Sequence, residues 1–132
     1  MTNNHPHYLQ LAHAVLDWNR KHLNRDSSLT EAVIGQCFAE QFIVEPNGRR
    51  YEATRANYLE FLNGMKADMA GIDYEIDHTL VDDAAVVFSM RARIAYCDGR
   101  TERFRAMLLM RFDNAGKVTL WHEVYVPLAM PA

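Results

Sequence analysis

The chain has 132 residues, of which 49% are hydrophobic and 23% are charged. This length and composition predict a single globular domain over residues 1–132. The formal net charge of -3, with both signs interspersed, argues against binding to nucleic acid or to an anionic membrane. The N-terminal MTNNHPHY lacks the pattern of a secretion signal and no apolar run reaches membrane-spanning length, so we expect a cytoplasmic protein. Cys37 and Cys97 lack metal-ligand spacing and predict buried thiols in a reducing compartment.

The N-terminal part of the sequence has the apolar spacing of helices. Residues 8–23 carry two adjacent apolar rows, which predict a first helix that needs cover on more than one side. Ser28 and Glu31 have the spacing of a capping box, which predicts that a second helix begins there. We expect this helix to end near Gln41.

A short extended run at residues 42–45 is followed by Pro46-Asn47-Gly48, whose composition predicts a turn. Thr54 is then the predicted N-cap of a third helix. We expect Gly71 to end that helix in the left-handed conformation that glycine adopts without strain.

Downstream of Gly71 the apolar period changes from that of a helix to the alternation of a strand. Four alternating runs follow, joined by short turns at residues 82–83, 98–99 and 114–116. Such short turns make successive strands hairpin neighbours. Helices followed by an antiparallel meander indicate the α+β fold class.

The register of the central hairpin follows from the requirement that paired residues share a face. This predicts Ile94 opposite Phe104 and Met90 opposite Leu108, joined by an odd number of residues. We interpret the other face as a salt-bridged outer surface, with a site for an acidic ligand as the alternative. Its charged residues are Arg91, Arg93, Arg103, Arg105, Arg111, Glu75 and Asp77.

The final strand, VTLWHEVYV, is apolar on both faces, so both faces are predicted to be covered. His122 and Glu123 are adjacent and must project to opposite faces. Trp121 and Tyr125 share the face of Glu123, while the face of His122 carries Val118, Leu120, Val124 and Val126. Periodicity does not say which face lies towards the interior.

The order of elements, with FIVEPNGRRYEA after the second helix and MRFDNAGKVTLWHEVYV at the end, resembles the NTF2-like superfamily, in its SnoaL-like and ketosteroid-isomerase-like branch. The resemblance implies a cone-shaped fold in which three N-terminal helices pack on the concave face of a curved, mainly antiparallel sheet. It also implies a pocket for a small apolar molecule, and a homodimer formed through the outer sheet face that includes Val118, Leu120, His122 and Val124.

The resemblance places Glu123 in the pocket, where burial would raise its pKa and suit it to general acid or base catalysis. A purely structural glutamate, hydrogen-bonded to the first helix, is the alternative. His78 is the second catalytic candidate, with a core histidine as the alternative. The predicted ligand-binding residues are Trp18, Tyr58, Phe88, Met90, Leu108, Met110, Trp121 and Tyr125.

The sequence departs from ketosteroid isomerases at both catalytic positions. Leu108 stands where they have a protonated aspartate, and no aspartate stands in the segment that would hold the base, where Glu45 or Asn47 aligns instead. Steroid isomerisation by that machinery is therefore not expected. SnoaL-like cyclases, which the chain also resembles, use a pocket carboxylate without metal or organic cofactor.

No metal site is predicted, because His5 and His7 are close to the terminus and His13 and His22 are not at helical i, i+4 spacing. The Asn47-Gly48-Arg49-Arg50 stretch is interpreted as a loop rather than a phosphate site. The resemblance to SnoaL-like proteins implies a cofactor-free protein that binds a small apolar carbonyl compound and transfers a proton on it. A non-catalytic ligand-binding module and a dimerisation scaffold with a filled pocket are the alternatives.

Overall fold

The computed structural model describes residues 4–128. Its helices are α1 His5–His22, α2 Glu31–Ile34 and α3 Arg55–Lys66. Its strands are β1 Phe38–Pro46, β2 Tyr51–Thr54, β3 Met69–Asp82, β4 Ala85–Tyr96, β5 Thr101–Phe112 and β6 Val118–Pro127. Within this range no helix is both long and apolar enough to cross a membrane.

The six strands form one curved mixed sheet in the order β2-β1-β6-β5-β4-β3. All neighbours are antiparallel except β1 and β6, which run parallel. Helices α1 and α3 pack on one face, called the inner face below, and the opposite face is the outer face. The predicted α+β class is confirmed. Of the three predicted helices only α1 and α3 are long, because α2 is a single turn.

The second helix is much shorter than predicted. Its N-cap is Thr30, whose Oγ1 accepts from the Val33 N–H at 3.1 Å, and not Ser28. The helix ends at Ile34, and Phe38 already begins β1 by pairing with Val118 of β6. Pairing with a central strand satisfies the Phe38 backbone and buries its ring, and this outweighs the local helical spacing.

The third helix begins as predicted and ends earlier. Thr54 Oγ1 accepts from the Asn57 N–H at 3.2 Å, and Asn57 Oδ1 accepts from the Thr54 N–H at 2.8 Å. The helix ends at Lys66, and Gly71 lies inside β3 without a left-handed φ. The strand begins early because Met69 pairs with Tyr96 of β4.

Removal of the α3 cap has a measurable cost. Thr54→Ala deletes the oxygen that accepts from Asn57, so we expect a loss of roughly 1 kcal/mol in the free energy of unfolding. Urea denaturation of both variants checks this, with Thr54→Ser as the control because it keeps the hydroxyl. Equal losses for alanine and serine would assign the effect to the threonine methyl group instead.

The hydrophobic core lies between α1, α3 and the inner face. The even-numbered residues of β4 and β5 face inward, including Phe88, Met90, Leu108 and Met110, and each of these four is fully buried. Leu16 of α1 and Leu62 of α3 close over the inner face. The alternation predicted for these two strands is confirmed.

The β4–β5 register has the predicted parity but is shifted by two residues. Ala92 is paired with Phe104, and Phe88 is paired with Leu108. The predicted pairs of Ile94 with Phe104 and Met90 with Leu108 are therefore wrong. The turn lies one residue earlier than predicted, because the Tyr96 N–H donates to the Arg100 carbonyl at 2.8 Å around a left-handed Gly99 and leaves residues 97–99 as the connection.

Two irregularities in the sheet reverse the faces predicted for nearby residues. One lies between Ile76 and His78 in β3, and the other between Arg111 and Phe112 where β5 meets β6. Because side chains alternate, one unpaired residue turns all that follow to the other face. Val118 therefore pairs with Phe112 and is fully buried in the core, contrary to its predicted outer position.

The outer face of β3, β4 and β5 carries the predicted ionic network. Arg91 lies 2.9 Å from Asp77 and 3.4 Å from Glu75, and Arg105 lies 3.6 Å from the same Asp77.

Cys97, which was predicted to be buried, is exposed because it lies in the connection after β4.

Candidate functional site

A cavity of about 440 Å³ opens between α1, α3 and the inner face of the sheet. Most of its wall is apolar. Arg49 and Phe61 are the exposed residues of this wall, so they mark its mouth. Seven other wall residues carry polar groups: Asn19, Tyr51, Tyr58, Tyr74, Trp121, Glu123 and Tyr125.

Glu123 projects into the cavity from β6, with Trp121 and Tyr125 on the same face. Asn47, in the turn after β1, holds this part of the strand. Its N–H donates to the Glu123 carbonyl at 2.8 Å, and its Oδ1 accepts from the Tyr125 N–H at 2.7 Å. Asn47 has a left-handed φ of 51°, a conformation that asparagine tolerates well. The backbone of β6 from Glu123 to Tyr125 is thus fixed.

The Glu123 carboxyl group is desolvated. Burial raises its pKa above the ordinary 4.5, and the Trp121 indole opposes this rise in part. None of the ion pairs among residues 4–128 involves Glu123. A carboxyl group whose pKa moves towards neutrality can both accept and return a proton.

Buried phenols surround this carboxyl group. Burial is the main cause that raises the pKa of Tyr58 and of Tyr74, and the nearby charge of Glu123 adds to both shifts. Asn19 Nδ2 donates to the Tyr74 Oη at 3.0 Å, which uses an acceptor site of that oxygen and leaves its O–H free to donate. Both phenols therefore stay protonated and can offer hydrogen bonds to a ligand.

Chemically, the cavity combines one proton-transfer group with neutral hydrogen-bond donors in an apolar enclosure. Such donors stabilise negative charge that develops on a ligand oxygen, and they do so more strongly where water is excluded. The arrangement suits removal of a proton next to a carbonyl group. Among the residues described, no group of three or more His, Cys, Asp or Glu could hold a metal ion.

The predicted ligand-binding residues divide into two sets. Four of the eight line the cavity together with Glu123, namely Tyr58, Met90, Trp121 and Tyr125. The remaining four are core residues outside its wall, namely Trp18, Phe88, Leu108 and Met110.

The core set is covered by α1 and by the segment that follows it. The Trp18 indole donates to the Val33 carbonyl at 3.1 Å. The Phe88 ring lies 5.0 Å from the ring of His13 on α1. Alternation identified the inner face, but the position of α1 decides which end of that face is filled.

His78 does not reach the cavity. It follows the irregularity in β3, pairs with Ser89 and is exposed on the outer face. The prediction that it shares a face with Tyr74 and Ile76 assumed an unbroken strand, and the extra residue makes that assumption wrong.

Four polar wall residues were not predicted to bind ligand: Asn19, Arg49, Tyr51 and Tyr74. Arg49 lies in the stretch that the sequence analysis interprets as a loop. Tyr74 could have been found, because it precedes the irregularity and alternates inward with Ile76. Asn19 gives a weaker signal as a polar residue within the buried stripe of α1. Tyr51 gives no sequence signal, because its strand has only four residues and is too short to show an alternating apolar pattern.

Comparisons with known proteins agree on the fold. Residues 16–121 match the sequence family described as a SnoaL-like domain. An LEH-like epoxide hydrolase from M. tuberculosis superposes with a TM-score of 0.72 at 15% identity, covering 94% of this chain and 86% of that chain.

Two further solved structures show the same likeness. A protein from Shewanella denitrificans OS-217, provisionally assigned as a SnoaL-like polyketide cyclase, has a TM-score of 0.76 at 12% identity and covers 92% of this chain and 91% of its own. An NTF2-like protein of unknown function from Cytophaga hutchinsonii has a TM-score of 0.62 at 15% identity, with coverages of 94% and 100%. A search of the curated proteins finds no match. Identities this low show a shared fold, and the chemistry has to be argued from the residues of this chain.

Proposed function

The chain belongs to the SnoaL-like domain family of the NTF2-like superfamily, and from that premise we propose that it binds a small, largely apolar carbonyl compound and transfers a proton on it without a cofactor. The observation that carries the proposal is the desolvated Glu123 carboxyl group facing a cavity that also holds protonated phenols. A filled interior would have favoured a scaffold, and a wall of apolar atoms alone would have favoured simple binding.

The proposed reaction begins with ionised Glu123 as the base. Its carboxylate takes a proton from the carbon next to the carbonyl group, the C–H electron pair forms a C=C bond, and the carbonyl π pair moves onto oxygen. The O–H groups of Tyr74 and Tyr58 donate to that oxygen and stabilise its negative charge. Glu123 then returns the proton to the same carbon, which completes an exchange, or to the far carbon of a conjugated enolate, which gives isomerisation; in both cases the electron pair on oxygen re-forms the C=O bond. In a cyclisation the enolate carbon instead bonds to a second carbonyl carbon of the ligand, and Glu123 gives its proton to the resulting alkoxide. In a dehydration the enolate expels a hydroxyl group from the neighbouring carbon, and Glu123 protonates it to water.

Deuterium exchange tests this function without knowledge of the natural substrate. We expect the protein to accelerate incorporation of deuterium next to the carbonyl group of 2-tetralone in D₂O, followed by proton NMR, relative to buffer alone. Ala92→Trp is designed to fill the cavity, whose wall includes Ala92, and should remove the acceleration. Binding of the ketone without any exchange would contradict catalysis and favour the non-catalytic alternative.

The outer sheet face supports a second proposal, a homodimer. Val124 and Val126 of β6 are 53% and 55% exposed, and Met107, the cross-strand partner of Val124, is 51% exposed. His122 lies in the same row, with its Nε2 3.1 Å from Glu45 Oε2 on β1. Contiguous apolar exposure of this kind is typical of an interface. The corrected interface row is therefore Leu120, His122, Val124 and Val126, without Val118.

Charge introduced into this row should separate the two copies. Val124→Lys would bury an unpaired ammonium group in each half of a two-fold interface, so we expect the dissociation constant to rise roughly a hundredfold. Light scattering at micromolar concentration would measure this. Ala14→Lys, on the exposed side of α1, is the matched control and should leave the mass unchanged. A monomeric wild-type protein would contradict the dimer.

A further inference from the structure

The mouth of the cavity holds a cation without an anionic partner. Arg49 is exposed and lines the cavity, and no acidic side chain among residues 4–128 forms an ion pair with it. Glu52, the acidic residue nearest to it in sequence, is in none of these ion pairs. Glu45, four residues before Arg49, projects to the outer face, where it contacts His122 at 3.1 Å and Arg50 at 3.9 Å. The positive charge of Arg49 is therefore available to a ligand.

A second group at the same place lacks a partner. The Tyr51 hydroxyl is buried from solvent and has no hydrogen-bond partner among the described residues, although Tyr51 lines the cavity. Burial raises the pKa of this phenol, so it stays protonated and its O–H is a donor. An unmet buried donor costs about 1–3 kcal/mol, and a ligand acceptor would remove that cost.

The backbone holds these two side chains side by side. Arg49 lies in the turn that leads into β2 and Tyr51 is the first residue of that strand, and both line the cavity wall. The turn before them is fixed, because the Arg49 N–H donates to the Pro46 carbonyl at 3.1 Å and Asn47 is hydrogen-bonded to the backbone of β6. Tyr51 also lies against Phe61, with ring centroids 6.2 Å apart.

A guanidinium group and a free phenolic donor at one rim are suited to recognise an anion. Behind them the wall is aromatic and aliphatic, with Phe61, Leu62 and Ile72. We propose that the ligand of this cavity is an organic acid: an apolar body of ring size with one carboxylate, which pairs with Arg49 and accepts from the Tyr51 hydroxyl at the mouth. This rests on the proposed function only in that the cavity binds a small molecule.

A matched pair of probes tests the proposal. Calorimetry would compare 2-naphthoate with its neutral counterpart 2-naphthalenemethanol, which has the same ring system. We expect the acid to bind about tenfold more tightly at low salt, since a charge-assisted hydrogen bond contributes more than a neutral one. The preference should shrink as salt is added.

Two variants separate the arginine at the mouth from its neighbour. Arg49→Met should reduce the ratio of the two affinities, acid over alcohol, to about one, and it should do so by weakening the binding of the acid while the affinity for the alcohol stays unchanged. Arg50→Met is the control: Arg50 is not part of the cavity wall and lies 3.9 Å from Glu45, so the preference should persist. Equal effects of the two variants would show a general charge effect and overturn the proposal.

Tyr51→Phe distinguishes ligand recognition from a structural role. Because the hydroxyl has no partner among the described residues, its removal should leave the ligand-free melting temperature unchanged or slightly higher, yet weaken the binding of 2-naphthoate several-fold. Equal affinity of the wild type for acid and alcohol would overturn the anion proposal and leave the proposed function intact. Failure of both probes to bind would overturn both.

Discussion

Glu123→Gln should lower the rate of ketone deuterium exchange by about 10²–10⁴, the usual contribution of a positioned acid or base. The amide keeps the shape of the carboxyl group but cannot take a proton from carbon. The matched control is Glu45→Gln. Glu45 is paired with β6 next to Glu123 but faces outward, so its replacement should leave the exchange rate within a few-fold of wild type.

The same substitution has a signature in stability that needs no substrate. The pKa of Glu123 is raised in the folded protein, so folding favours its protonated form and its contribution is fully present below the unfolded value of about 4.5. That contribution is lost as pH rises through the folded pKa. Relative to Glu123→Gln, the wild type should therefore lose stability from about pH 4 towards neutrality. Each tenfold difference in proton affinity between the folded and unfolded states corresponds to about 1.4 kcal/mol.

Thermal melts of both proteins across pH 4 to 8 measure this difference. At neutral pH the glutamine variant should melt at the higher temperature, and near pH 4 the two should converge. A difference that moves in the opposite direction would mean that Glu123 is stabilised as an anion within the fold. It would then be a structural group, and the proposed base would have to be abandoned.

Phe38→Ala should cause the largest loss of stability, about 3–5 kcal/mol in the free energy of unfolding. The Phe38 ring is fully buried and its centroid lies 5.7 Å from Trp18, 5.0 Å from Phe42 and 5.1 Å from Tyr58. Its truncation leaves a void where β1 meets two helices. Against a typical stability of about 5–15 kcal/mol, this is a large fraction.

Urea denaturation followed by tryptophan fluorescence measures the loss. Phe61→Ala is the matched control, because Phe61 also packs on Tyr58 but is 47% exposed at the cavity mouth. We expect it to cost no more than about 1 kcal/mol. Similar losses for both phenylalanines would contradict the assignment of Phe38 to the centre of the core.

On β6, alternation predicted which residues share a face, and the family resemblance predicted which face lines the pocket. Trp121, Glu123 and Tyr125 share one face of β6 as their alternation required, and the structure shows that this face lines the cavity. The pocket role that the resemblance implied is wrong for Trp18, Phe88, Leu108 and Met110, which are buried in the core outside the cavity wall. Periodicity reports whether a residue faces inward, and it does not report what lies opposite.

The errors at His78 and Val118 share one physical origin. Each is next to a point where one strand carries an extra residue relative to its neighbour: His78 follows such a point in β3, and Val118 precedes one in β6. Curvature of a sheet is produced at such points, and one extra residue reverses every later side chain. No composition signal marked either place, so the alternation was extended through it.

Local patterns were enough to predict the kinds of element, the change from helices to an antiparallel meander, the N-cap of α3 and the face that Glu123 shares with Trp121 and Tyr125. Long-range packing sets where the second helix gives way to β1, which end of the inner face stays open, and which polar groups meet there. Asn19 and Tyr74 are 55 residues apart in sequence, and Asn47 fixes β6 from 78 residues away. Short-range propensity carries no information on such pairs, because they form only when the curved sheet and the helices bring distant segments together.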